Sequence, residues 1–389
     1  LVVYTAAISK EDPELVMAHN LNIPTMERAV FLGLLTKCFE DTITISGTHG
    51  KTTTTSMVSL CFLKADLNPS IQVGAYLKNI SGNYAVGNSD YFILEACEYV
   101  ESFLHFFPKS AIVLNIDNDH LDYFKNIDNI QNAFSKYVKL LPSNGLLVLN
   151  CDDNRCLSLK NSTKAEVITY GINNTNADFI AKNIVFDDNG FPEFDVYNKR
   201  EFYCHIKLSV TGEHNVLNAL ACISMCSYYG IDSKIIQSAL LEFTGANRRM
   251  EFKGKFNNNV SVFEDYAHHP TEINATALAL KNKKFNKSWA VFQPHTYSRT
   301  KNILEDFAKV LLNFDNVIIT DIYAAREKNI YDISSKDLAD KISSLGGNVK
   351  YISDFKDIAS YLKENVKDND VVLTIGAGTV TEIGGMLIN

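Results

Sequence analysis

The segment from Thr42 to Leu63 constrains this chain more than any other. Thr42 to Ser46 reads as a short β-rich strand that runs straight into Gly47-Thr48-His49-Gly50-Lys51-Thr52, and Thr53 to Leu63 then has helical character. A strand, a glycine loop, a Lys and a Thr at the opening of a helix make the physical recipe for a phosphate cradle. Backbone N–H groups and the helix dipole face an anion, Lys51 adds a point charge, and the Thr52 hydroxyl can ligate magnesium. The strict G-x-x-x-x-G-K-[ST] pattern is not met, because the residue five before Gly50 is Ile45. An ordinary glycine-rich turn is the alternative, and the strand-loop-helix context favours the phosphate reading.

The segments around this loop predict an α/β chain of two or three domains, which 389 residues allow. Leu1 to Ile8 reads as a strand without a partner, followed by helices over Pro13 to His19 and Glu27 to Lys37, as in the tail of a domain. Strands at Tyr91 to Leu94 and Ala111 to Leu114, with helical stretches between, suggest βαβ units and a parallel sheet. From Ala177 to Val210 the pattern becomes alternating and Gly/Asp/Asn-punctuated, like an antiparallel hairpin insert, and helices follow over Asn215 to Tyr229 and Ser233 to Phe243. Beyond Thr244-Gly245-Ala246-Asn247 the βα alternation restarts, with strands Val260 to Phe263, Trp289 to Phe292, Val317 to Ile319, Val349 to Ile352 and Val371 to Ile375, a second open α/β domain. The expected partition is residues 1–40, 41–244 and 245–389.

Charge and composition exclude several functions. Lys and Arg total 37 against 45 for Asp and Glu, a net charge of -8 without a basic run, which argues against general nucleic-acid binding. No apolar stretch approaches the roughly 20 residues of a bilayer span, so a cytoplasmic protein without a membrane partner is expected. The eight cysteines form no C-x-x-C pair. Their closest spacings, Cys222 with Cys226 and Cys151 with Cys156, lack His partners at zinc-like distances, so buried thiols are expected.

Polar residues gather where an open sheet binds ligands, beyond the carboxyl ends of strands. Glu95 and Glu98 follow one strand and Asp119 and His120 another. A hard cation accompanying ATP wants a carboxylate, and a second ion can take an imidazole. Gly212-Glu213-His214-Asn215 opens a helix, where His and Asn can simply satisfy free N–H groups. Arg248 and Arg249 put two planar guanidinium forks at a predicted domain junction, suited to phosphate or carboxylate, or to a surface salt bridge. Glu264 to Pro270 ends the first strand of the last domain and Gln293 to Thr300 the next. Read as adjacent, these two strand ends make a pocket rich in His, Tyr, Asp and Arg. No Ser-His-Asp or reactive-Cys arrangement competes with it.

Taken in order, TISGTHGKTTT, LEACE, NIDNDHLDYF, GEHNVLNA, GANRRME, EDYAHHPTE, FQPHTYSRT, DIYAARE and TIGAG resemble the Mur ligase family, from about Thr5 to Gly378. FQPHTYSRT points to its alanine-adding members. The resemblance implies an N-terminal Rossmann-like UDP-sugar domain, a central P-loop ATPase domain and a C-terminal Rossmann-like α/β domain. It also implies ATP and Mg2+ as cofactors, UDP-N-acetylmuramate and L-alanine as substrates, and a monomer or homodimer. The sugar's carboxylate would attack the γ-phosphate of ATP, and the alanine amine would attack the resulting acyl phosphate, in synthesis of a cell-wall precursor.

Carried over by motif, Gly47, Thr48, His49, Gly50, Lys51, Thr52 and Thr53 would hold the ATP phosphates, with Thr52 and Glu95 on a first magnesium ion and His120 on a second. His214, Asn215 and Asn218 would border the nucleotide, joined by Arg249 and Asp265. Tyr266, His268, His295 and Arg299 would surround the alanine and the reacting carboxylate. Lys51, His120, Arg249, His268 and Arg299 are the expected catalytic groups. Glu264 stands where the family often has an Asp. The family's glycine-rich UDP-binding turn would stand ahead of Leu1, so the sequence as given is expected to bind ATP and magnesium yet form little amide. A ligase attaching a tripeptide to the same sugar, and a bare P-loop ATPase, are the alternative readings.

Overall fold

A computed structural model describes every residue except Ala7, Asn258 and Asn389, and Asp122 without its side chain. It divides into two compact units. The first comprises Leu1–Asn183, Phe194–Ile206 and Val216–Phe243, the second Ile184–Glu193, Lys207–Asn215 and Thr244–Asn389.

In chain order the strands are β1 (Val2–Tyr4), β2 (Thr25–Glu27), β3 (Asp41–Ser46), β4 (Ser70–Leu77), β5 (Gly82–Ala85), β6 (Tyr91–Glu95), β7 (Ser110–Val113), β8 (Leu146–Asn150), β9 (Glu166–Gly171), β10 (Phe179–Phe186), β11 (Pro192–Asn198) and β12 (Glu201–Lys207), then β13 (Glu251–Phe256), β14 (Val260–Asp265), β15 (Ser288–Phe292), β16 (Asn316–Ile319), β17 (Val349–Tyr351) and β18 (Val371–Ile375).

The strand predicted over Leu1 to Ile8 is shorter, with Ala7 outside the described residues, and it has a partner. β1 pairs in parallel with β2, Val2 opposite Thr25 and Tyr4 opposite Glu27. Three residues between Pro24 and a helix are too few for a period-2 signal to stand out, so β2 was illegible and its last residue, Glu27, read as helix.

Ten strands form one sheet in the order β12-β11-β10-β9-β8-β7-β3-β6-β4-β5. The loop-bearing strand β3 lies between β7 and β6 and runs parallel to both. Their carboxyl ends therefore open side by side. The segment read as an antiparallel insert, β10 to β12, extends the edge of this sheet, attached through β10, which pairs in parallel with β9. Beneath this sheet Tyr137 stacks on Phe103, with ring centroids 4.5 Å apart, and its hydroxyl donates to Thr44 Oγ1 at 2.5 Å, which anchors the middle of β3.

The six-stranded sheet runs β13-β14-β18-β15-β16-β17. β18 lies between β14 and β15 and is parallel to each, so the two strand ends read as adjacent in sequence are in fact separated by a third. Alternate residues of these strands feed two cores. Ala290, Phe292, Leu373 and Ile375 pack on one face, and Trp289, Val291 and Val372 on the other. Helices cover both faces, which is why these strands read as continuous apolar runs and not as alternating ones. Among the described residues no helix is long and apolar enough to cross a membrane.

Candidate active site

In the first unit the glycine loop is held by its neighbours. Gly47 and Gly50 adopt φ of 135° and 86°, a region that disfavours side chains. A Cβ on Gly47 would come within 2.9 Å of Leu114 Cβ, and one on Gly50 within 2.6 Å of Asn218 Oδ1. The loop's path depends on both glycines, and Asn218 sits against it.

Behind β7, Asn115 binds the loop in both directions. Its Oδ1 accepts from the His49 N–H at 2.7 Å and its Nδ2 donates to the His49 carbonyl at 3.0 Å. Asp117 accepts or pairs with His49 Nε2 at 2.9 Å, and its own N–H donates to Thr48 Oγ1 at 3.0 Å. Thr48 and His49 thus have their side chains committed to shaping the loop. Neither Asn115 nor Asp117 was singled out in sequence, although the Asn/Asp-dense NIDNDH segment carried the signal.

Lys51 opens the Lys51–Lys64 helix, and its ammonium donates to Gly47 O at 2.6 Å, Thr48 O at 3.0 Å and Glu98 Oε2 at 2.9 Å. Glu98 is buried. Burial pulls the Lys51 pKa down, but the charges of Glu98 and its neighbours outweigh it, so the group is held well above the ordinary lysine value and stays cationic. Thr52 and Thr53 form the next helical positions, the Thr52 carbonyl accepting from Ser56 Oγ at 2.7 Å.

Glu95 ends β6 and accepts from the Gly74 N–H at 2.5 Å; a Cβ on Gly74 would fall 2.8 Å from that carboxylate. A carboxylate is the kind of oxygen donor a hard cation takes. His120 lies after β7 with φ of 53°, its ring 4.4 Å from that of Tyr99 and its Nε2 3.7 Å from Asp119 Oδ2.

The second unit gathers the remaining residues at the ends of β14, β18 and β15. Asp265 accepts from the N–H groups of Met250 (2.9 Å) and Ala267 (2.7 Å). Burial raises its pKa, against the pull of Arg249 and those two N–H groups. Glu264 turns instead toward Lys253, 3.5 Å away, and toward Gly384, whose missing side chain leaves it room.

The two arginines differ. Arg248 donates to Gly376 O at 2.6 Å and Gly378 O at 3.0 Å, fastening the loop after β18. Arg249 stands 3.8 Å from Glu272 and over the Tyr266 ring at 5.3 Å.

From Tyr266 a belt of rings continues through His268 (5.2 Å) and His295 (5.8 Å) to Tyr323 (5.7 Å). Arg299 Nη1 reaches His295 Nδ1 at 3.3 Å. Glu327 accepts from the Ser298 N–H at 2.8 Å and from its hydroxyl, which fixes the short helix carrying Arg299. Glu327 also went unread. It lies in DIYAARE, 29 residues from Ser298.

His214 is half-buried, and desolvation followed by the charge of Arg249 pushes its pKa down to about 4. It is a neutral imidazole at neutral pH. A Cβ on Gly212, at φ of 95°, would strike its ring. Asn215 donates to Thr211 O at 2.8 Å and so ties down that carbonyl.

Residues 45–226 match the Mur ligase middle domain and residues 248–378 the Mur ligase glutamate ligase domain. The chain is 48% identical over 388 residues to the UDP-N-acetylmuramate–L-alanine ligase of Acetivibrio thermocellus, covering 100% of this chain and 82% of that protein. The chain belongs to the Mur ligase family. The protein of the same name from Clostridium novyi is 50% identical, with 100% and 84% covered. The solved UDP-N-acetylmuramate–alanine ligase of Thermotoga maritima superposes with a TM-score of 0.85 at 27% identity, over 100% of this chain and 84% of that one. Mur ligases are ATP-dependent, and the loop described above has the form such dependence needs.

Proposed function

We propose that this Mur ligase joins L-alanine to the carboxylate of UDP-N-acetylmuramate in the cytoplasm, converting ATP to ADP and phosphate. Two observations carry the reading: in the first unit a cationic Lys51 held against buried Glu98 inside a glycine loop, and in the second unit the His/Tyr/Arg belt. The first suits phosphoryl transfer and the second suits a carboxylate and an amine.

In the first step a carboxylate oxygen of the sugar attacks the γ-phosphorus, the bond to ADP breaks, and an acyl phosphate forms. The amine then attacks the acyl carbon and phosphate leaves. No enzyme nucleophile is required. Catalysis rests on positioning and on neutralising the oxygens of the transferred group.

Lys51 and the loop N–H groups would hold the phosphates. Thr52 and Glu95 would hold a magnesium ion, with His120 on a second; when bound, these ions offset phosphate charge. His214 and Asn215 would flank the nucleotide with Asn218, Arg249 and Asp265. Arg299, beside His295, would pair with a carboxylate, while Tyr266 and His268 would border the amine. Residues 1–40 would close a sugar-binding domain.

The test is phosphate release and amide formation by the full chain, followed by mass spectrometry with each substrate omitted in turn. Both signals should require ATP, sugar nucleotide and L-alanine together. Phosphate release independent of sugar and amino acid, or amide formed only with a tripeptide in place of alanine, would overturn the proposal.

A further inference from the structure

Three cysteines from two helices far apart in sequence meet inside the first unit. Cys61 lies on the Lys51–Lys64 helix, and Cys222 and Cys226 lie one turn apart on the Glu213–Tyr228 helix. All three are 0% exposed. Cys222 Sγ is 3.7 Å from Cys61 Sγ and 3.8 Å from Cys226 Sγ, and all three sulfurs lie within 4.8 Å of one another.

Two sulfurs, each about 2.3 Å from a common ion at the tetrahedral angle, stand about 3.8 Å apart. The two measured edges match that spacing without any movement of the helices. We propose that Cys61, Cys222 and Cys226 form a binding site for a soft, thiophilic cation of the zinc and cadmium class.

Thiolates are the ligands such ions select. Binding deprotonates whichever thiols still carry a proton and forms three sulfur–metal bonds, the protons leaving to solvent. With a divalent ion the product carries one net negative charge.

The site has a mechanical consequence. Asn218, Cys222 and Cys226 are spaced by four residues, so they share one ridge of their helix. Asn218 meets the glycine loop at one end of that ridge, and the cysteines meet the loop's own helix at the other. An ion there ties the helix bearing the phosphate loop to the helix bearing Asn218, and should raise the melting temperature of the first unit.

The probe is Cd2+. It is supplied by titration of the full chain with exposed Cys38 and Cys97 replaced by Ser, and during expression, so that the buried site can fill as the chain folds. One equivalent should be retained after dialysis, with sulfur-to-cadmium charge-transfer absorption from three thiolates. Cys61→Ala, Cys222→Ala or Cys226→Ala should each remove about one third of that band, one of three sulfur ligands. Should a variant fail to fold, cadmium NMR of the parent decides, an all-sulfur resonance supporting the site and an oxygen- or nitrogen-rich one opposing it. No ion retained by either route, or a band unchanged by Cys222→Ala, overturns the proposal.

Discussion

The two units solve the same problem, presenting polar groups beyond the ends of parallel strands, with different materials. At β3, β6 and β7 the work falls to backbone: two glycines with positive φ, a loop clasped by Asn115 and Asp117, and a cation, Lys51, matched to the buried Glu98. At β14, β18 and β15 it falls to side chains: a belt of Tyr266, His268, His295 and Tyr323 edged by Arg249 and Arg299. Backbone N–H groups suit a phosphate chain whose shape never varies. Directional side chains suit an acceptor that must be told from its relatives. The first site should therefore fail by losing charge, the second by losing geometry.

The largest effect is expected at Lys51. Lys51→Ala should lower amide formation by about 10³-fold, comparable to removing a transition-state charge contact. It should also cost about 3 kcal/mol or more of stability, because Glu98 is left buried without its partner. Adding Glu98→Gln should restore most of the stability on urea unfolding but not the turnover. Recovery of turnover in the double variant would mean that Lys51 serves the fold alone.

Next comes the pH dependence of the second unit. Folded His214 takes its proton only near pH 4 whereas the unfolded group does so near the ordinary 6.5, so the unfolded state binds it first as pH falls. Stability from this group is complete above about 6.5 and declines toward about 4, by about 3 kcal/mol in all. Trp289, the single tryptophan, lies in β15 and reports this unit. His214→Gln should flatten the difference in fluorescence-detected unfolding between neutral and mildly acidic buffer; an unchanged difference would locate the acid sensitivity elsewhere.

Arg299→Lys keeps the charge but not the planar fork, and should raise the apparent KM for alanine by about 30-fold, or about 2 kcal/mol. ATP affinity should not move. A change in ATP affinity with KM for alanine untouched would reverse the assignment of the two sites. Glu327→Gln is the mildest case. It weakens the clamp on Ser298 without touching the belt, and a loss of about tenfold in kcat/KM for alanine, about 1.4 kcal/mol, is expected. An effect as large as that of Arg299→Lys would make Glu327 a direct substrate ligand.

The same contrast explains what could be read from sequence. The glycine loop is local, with Gly47, Gly50, Lys51 and Thr52 contiguous, and its strand and helix announce themselves on either side. The belt is not local. Tyr266 and His295 were both noticed, but β18, which comes last in the chain, runs between their strands, and no periodicity in Val371 to Ile375 says where that strand inserts. β8 and β9 went unread because LLVLN is a short apolar run that fits helix or strand equally, so the strand to which the insert attaches was not legible. Two exposed thiols, Cys38 and Cys97, and one buried triangle stand where uniform buried cysteines were expected. Cys61 is 161 residues from Cys222, beyond the reach of any spacing rule.

Passage of the sugar's carboxylate through an acyl phosphate is the claim on which both sites depend, and heavy-oxygen transfer tests it most directly. UDP-N-acetylmuramate labelled in both carboxylate oxygens is turned over by the full chain with ATP and L-alanine, and the released phosphate is weighed by mass spectrometry. Activation by the γ-phosphate predicts one labelled oxygen in each phosphate released and one retained in the amide. Unlabelled phosphate alongside amide product would contradict it, since the carboxylate would then have reached the amine without ever bonding to phosphorus.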